Sequence, residues 1–267
     1  MNDLLLAAAA TANYVTLDAL DLAVAGGLML VAILLARVER VGYTKTFLVG
    51  TVRTVVQLMA IGFVLRGVFS VSAWWLNLLV LAVMISVATL NAVKRQTHRT
   101  RNYHWIAAAA IAGGALTVVA GVIYLVVGDD SAQYVIPLGG MIIAYSMNAL
   151  TLYKNRFDGE IRARRGEIEA KLALGATSRR AAEDVVREAY RAALLPTINF
   201  MMVVGLVQIP GMMGGQIIGG ADPLDAALYQ ILVAFQLAGA AVMSCFIVSR
   251  LVFRETFNKD HQLKIGP

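Results

Sequence analysis

One cysteine, Cys245, stands in 267 residues, so no disulfide can form within the chain and its thiol says nothing about redox compartment. Charge is scarce as well. Asp, Glu, Lys and Arg supply 15% of the residues, where a soluble domain carries about 25%. Apolar residues reach 59% and the mean hydropathy is +0.70, which excludes a water-soluble globule. No G-x-x-x-x-G-K-[ST] loop is present, so the chain cannot cradle ATP in the P-loop manner. H-E-x-x-H, C-x-x-C and G-x-S-x-G are missing too, and no nucleophile and base can be placed together at membrane depth, which sets intramembrane catalysis aside. The excess of 23 Lys and Arg over 17 Asp and Glu is expected from membrane topology rather than from nucleic-acid binding.

What the chain does have is long apolar runs. Seven can be marked off between charged clusters: 17–36, 47–69, 74–93, 105–127, 134–153, 197–220 and 224–252. Each has the roughly 20 residues a helix needs to cross a bilayer, and barrel strands would alternate over about 10. The expected fold is an all-α polytopic membrane protein of about seven transmembrane helices, a single domain over 1–267. Residues 4–12 loosely resemble a signal peptide, but Asp3 and the lack of Lys or Arg ahead of them point to a tail or short interfacial helix. All Lys and Arg except Arg53 and Arg66 fall in connections on one side of this arrangement. That side is cytoplasmic by the positive-inside rule, which places the N-terminus outside, the C-terminus inside and the protein in the inner membrane.

The one sizeable connection, 154–195, reads as a helical hairpin between spans five and six. Ile161, Ile168 and Leu172 share one helical face among charged neighbours, Gly175 stops the first helix, and Thr177 or Ser178 can cap the next. Ala182, Val185, Val186, Ala189 and Ala193 repeat at helical spacing in the second, which Pro196 is expected to close. Such an amphipathic pair either lies on lipid headgroups or seats its apolar strip in the groove of a soluble partner.

Within the hairpin, Glu169-Ala170-Lys171 followed after three residues by Gly175 resembles the E-A-A-x3-G loop of ABC-transporter permeases. It departs at Lys171, where that pattern has Ala, and in the distance from Gly175 to Leu195-Pro196. KLALGATSRRAA (171–182), RAALLPT (191–197), VGLVQIPGMMGGQIIGGADP (204–223) and YQILVAF (229–235) make the likeness specific, and RTVVQL (53–58) and VIPLGGMI (135–142) extend it. Together they resemble the FetB (YbbM) family of bacterial membrane proteins, which has plant relatives tied to aluminium tolerance. The resemblance implies the permease half of an ABC exporter linked to iron efflux. It also implies a permease homodimer paired with two cytoplasmic ATP-binding subunits. ATP and Mg belong to those subunits, and no cofactor to this chain. Glu169, Ala170, Leu174, Gly175, Ala176 and Thr177 would then be the ATPase-coupling residues.

Span six stands out on its own residues. Gly205, Gln208, Pro210, Gly211, Met212, Met213, Gly214 and Gly215 make it a candidate hinge on the translocation path, because proline frees a carbonyl and kinks the axis. Gly211, Gly215 and Gly219 equally form a ladder for close helix packing, and non-helical backbone at membrane depth argues for an internal position. Arg53, with Gln57 on the same face, either snorkels inward or meets a partner. Gln57, Asn91, Asn148, Asn199, Gln208, Gln216, Gln230 and Gln236 are amides able to satisfy one another between helices. No span holds a central Asp, Glu or Lys, which weakens the reading as an ion-coupled carrier. Met201, Met202, Met212 and Met213 would suit a soft ion, His98, His104 and His261 lie in cytoplasmic segments, and no closed metal site can be read. Beside the exporter stand two alternatives, an ATP-independent carrier or channel and a non-transporting scaffold that recruits an ATPase.

Overall fold

A computed structural model describes residues 18–40, 42–69, 71, 74–96, 102–122, 132–258 and 260–264. The stretch 4–12, the end of the fourth run at 123–127 and His98 lie outside them. Among the described residues the regular structure is helical throughout: α1 (Ala19–Val38), α2 (Thr44–Phe69), α3 (Trp74–Lys94), α4 (Tyr103–Val122), α5 (Ala132–Ala163), α6 (Arg165–Ala173), α7 (Ser178–Ala181), α8 (Glu183–Val203), α9 (Gly211–Ile218) and α10 (Pro223–Thr256). Helix is what an apolar run must form in lipid, where every backbone polar group has to be satisfied within the segment. Helices α1, α2, α3, α5 and α10 are long and apolar enough to cross a membrane, and α4 is apolar over Tyr103–Leu116.

The chain divides into two compact units, Met1–Ser72 with Ile218–Ala221 and Ala73–Ile217 with Asp222–Pro267. In the first, α1 and α2 pair, Ile33 is the buried residue of α1, and α2 buries none. The second holds the core, built on α5. Ile142, Ser146, Leu150, Tyr153, Phe157 and Ile161 recur three or four residues apart and are almost wholly buried, giving α5 one continuous seam. Helices α3, α4, α8 and α10 pack on it.

Two helices approach more closely than Leu or Val would allow. A Cβ on Gly114 of α4 would stand 2.1 Å from Ser244 Oγ and 3.0 Å from the Ala240 carbonyl of α10. Ser244 Oγ donates to the Ala110 carbonyl at 3.0 Å. Ala110 and Gly114 thus face Ala240 and Ser244, small residues four apart on each helix, which is how membrane helices gain dispersion contact without a hydrophobic driving force between them.

The structure corrects the expected hairpin in three ways. Span five does not end at Tyr153; α5 continues for ten residues beyond it, because Phe157 and Ile161 prolong the buried seam while Arg156 and Arg164 bridge Glu160 at 2.9 and 2.8 Å on its outer side. Lys154, beside an Asp158 partner one turn on, is 2% exposed, with its ammonium 5.6 Å from the centre of the Tyr103 ring. Pro196 closes nothing, since α8 passes through it to Val203. Lastly, the apolar strip meets neither headgroups nor a partner's groove. Ile161, Ile168, Ala182, Val185, Ala189 and Ala193 are buried in the same core as Tyr153, Val248 and Val252.

Candidate functional site

With its strip buried, the hairpin offers its turn to solvent. Helix α6 stops at Gly175, whose φ of +89° is left-handed, a conformation that disfavours any side chain. The Gly175 amide donates to the Leu172 carbonyl and the Ala176 amide to the Lys171 carbonyl, both at 3.0 Å, the two bonds of a Schellman stop. This geometry throws Leu174 outward to 89% exposure. Glu169, Ala170 and Thr177 are exposed around it, and Ala176 is half-buried. Glu169 accepts from Arg165 Nε at 2.8 Å. Lys171 bonds Glu167 at 2.6 Å and lies 3.7 Å from Asp184; the Glu167 hydrogen bond in particular holds its pKa above the ordinary lysine value. So the residues of the E-A-A-like loop converge on one apolar knob ringed by charge.

Thr177 occupies the N-cap position of α7, but its side chain caps nothing. The neighbouring Ser178 hydroxyl lies 2.7 Å from Nδ1 of His261, and the Ser178 amide donates to the same nitrogen at 3.3 Å. His261 is held there by a tight turn in which the Gln262 amide donates to Asn258 Oδ1 at 2.7 Å and the Lys264 amide to the Thr256 carbonyl at 2.8 Å. Sequence reasoning gave His261 no task; nothing local marks a pair so far apart in the chain.

From this turn α8 carries straight into the sixth apolar run, and there the helix breaks. Val204 is extended, Gly205 has φ +83°, and helix resumes at Gly211 after Pro210. The break satisfies much of its own backbone: the Val207 amide donates to the Val203 carbonyl at 2.9 Å and the Gly205 amide to the Gln208 carbonyl at 3.0 Å. Leu206, Val207 and Ile209 clothe it and are 88%, 84% and 65% exposed. Non-helical backbone at membrane depth persists where protein or a water-filled cavity surrounds it, so this break needs surroundings beyond its own side chains. Around the first rungs of the glycine ladder there is space, since a Cβ on Gly211, Gly214 or Gly215 would meet nothing within 4 Å. Asp222 then caps α10, its Oδ1 accepting from the Leu224 amide at 2.8 Å, with Pro223 at the first helical position.

Arg53 and Gln57 are exposed on α2, Asn148 is exposed on α5, and Gln208 is exposed in the break. Gln230 is buried with its Oε1 unbonded, as is Nε2 of Gln236, and Asn91 donates to the Val87 carbonyl of its own helix at 2.9 Å. Met201 and Met202 are exposed on α8, whereas Met212 packs on the core. Among the described residues no three His, Cys, Asp or Glu side chains converge where they could hold a metal ion.

Comparison with known proteins matches residues 19–257 to the family model described as Uncharacterised protein family (UPF0014). The "UPF0014 membrane protein slr1647" of Synechocystis is 37% identical over 94% of this chain and 98% of its own. The "Probable iron export permease protein FetB" of Escherichia coli is 37% identical over 92% of this chain and 94% of its own. "Protein ALUMINUM SENSITIVE 3" of Arabidopsis thaliana is 31% identical over 88% and 86%. No solved structure matches.

Proposed function

The chain belongs to the UPF0014 family, and from that premise we propose that it is the membrane permease subunit of an ATP-driven exporter whose cargo is iron or another metal species. Two copies pair with two cytoplasmic ATP-binding subunits, which bring the ATP and Mg, and the protein sits in the inner membrane with its C-terminus in the cytoplasm. The observation that carries this reading is the course of α8, unbroken from Glu183 to Val203, between the short α7 that follows the exposed Leu174 turn and the break at Gly205. A subunit docked on Leu174, Gly175 and Ala176 can pull on α8 as a rod. Its far end meets Gly205, whose left-handed backbone and unobstructed surroundings let the chain swivel there instead of deforming the rod. The name of the E. coli relative supports the cargo.

The test co-purifies the chain with its ATP-binding subunit. Leu174→Arg and Ala170→Trp are expected to abolish co-purification and stimulated ATP hydrolysis while the chain itself stays folded, because neither position is buried. Cells carrying the intact pair should hold less metal than cells with Leu174→Arg. Unchanged assembly and hydrolysis in both variants would remove the turn from coupling, and uphill transport by the chain alone in liposomes would overturn the ATP-driven reading.

A further inference from the structure

A groove of about 890 Å³ opens between the first turns of α7 and α8 and the last turns of α10. Arg179, Arg180, Arg187, Arg250 and Arg254 line it against one carboxylate, Glu183. Glu183 is engaged by Arg187 at 3.1 Å, and among the described residues no carboxylate pairs with the other four arginines. Four uncompensated guanidinium groups around one concavity repel each other, and an anion relieves that repulsion. The fork of a guanidinium fits two oxygens of a phosphate at once.

The surroundings choose the kind of phosphate. Arg250 lies over the Phe246 ring, 5.1 Å from its centre, and Phe246 is 47% exposed. One turn earlier on α10, Val242 and Met243 are exposed as well, so beyond the groove the face of α10 that carries Phe246 continues as an apolar flank of a membrane helix. A soluble phosphate compound would leave that flank unused; an acyl chain covers it.

We propose that this groove binds the phosphate headgroup of an anionic phospholipid, with Arg179 and Arg180 on one wall, Arg250 and Arg254 on the other, and the first acyl carbons against Phe246. The lipid would tie the base of α8 to α10 close to the Ser178–His261 bond. The inference is independent of the cargo and of any ATPase.

The experiment measures phosphatidylglycerol and phosphatidylcholine retained by the detergent-purified full chain, using native mass spectrometry. Phosphatidylglycerol should be retained in preference, and Arg250→Gln/Arg254→Gln should lower its affinity at least tenfold. Arg179→Gln/Arg180→Gln, on exposed positions of the opposite wall, should do the same and serves if the first pair misfolds. Arg162→Gln/Arg165→Gln, an equal loss of charge outside the groove, should change it less than twofold. Equal retention of the two lipids, or equal effects of groove and control variants, would overturn the proposal. So would displacement by millimolar inorganic phosphate, which would make this a site for a soluble phosphate instead.

Discussion

Ser178 and His261, 83 residues apart, meet at 2.7 Å, so the tail after the last membrane helix fastens the turn that starts α7. Because the Ser178 amide can only donate, Nδ1 is the acceptor in that contact, and a helix N-terminus that lacks a side-chain cap of its own receives one from a distant ring.

His261→Phe keeps the ring volume and removes the acceptor. The expected cost is about 1 kcal/mol, the net worth of a hydrogen bond. Hydrogen exchange of the amides over Ser178–Ala181 should accelerate severalfold, while exchange in the α5 core stays as it was. An unchanged rate at Ser178 would show that the imidazole contributes nothing to the turn.

Gly114 and Gly211 form a matched pair of helical glycines in opposite surroundings. Gly114→Ala drives a methyl toward Ser244 Oγ and the Ala240 carbonyl and should cost about 1–3 kcal/mol through overpacking. Gly211→Ala meets nothing within 4 Å and should gain up to about 1 kcal/mol from helix propensity. Thermal unfolding in detergent would order the two, and a Gly114→Ala protein as stable as the parent would contradict the close contact of α4 and α10.

Lys154 and Asp158 form a pair with the lysine side chain 3% and the carboxylate 15% exposed. Lys154→Ala leaves the carboxylate without its partner and should destabilise by about 3–5 kcal/mol. Lys154→Met/Asp158→Leu, which removes both charges at similar volume, should recover most of that loss. If the double variant is no better than the single, the stability at this position comes from the lysine ammonium over the Tyr103 ring, which methionine lacks.

Gly205 tests the swivel. Its φ of +83° costs an alanine about 1–2 kcal/mol, with no clash to add because the surroundings are open. Asn tolerates that region, so Gly205→Asn should lose less than Gly205→Ala. Reversal of that order in unfolding measurements would mean that something other than backbone conformation selects glycine there.

Run length alone made the membrane helices legible, since lipid leaves helix as the only form a lone apolar segment can take. Periodicity found the buried faces of Ile161, Ile168, Val185 and Ala189, but periodicity names a face and not its partner, and that partner is the chain's own core rather than lipid or another protein. Pro196 misled because its rule describes the average helix; here the buried faces on both sides of it keep α8 going. Gly205 and Pro210 announced the interruption correctly. Ala110 and Gly114 went unnoticed inside an alanine-rich run where every neighbour is small too. The amides were read as able to pair, and Asn91 shows a partner that sequence does not announce, the Val87 carbonyl of its own helix.

Helix α2 has 26 residues and buries none of them. Its turns are closed by their own carbonyls, and Thr51 and Thr54 even return their hydroxyls to Phe47 and Gly50 at 2.9 Å. Within its unit it packs on α1, and its apolar side chains need apolar surroundings on their other faces as well. The hydroxyls of Thr51 and Thr54 can therefore sit at membrane depth at little cost, because each is satisfied one turn back along its own helix whatever lies outside it.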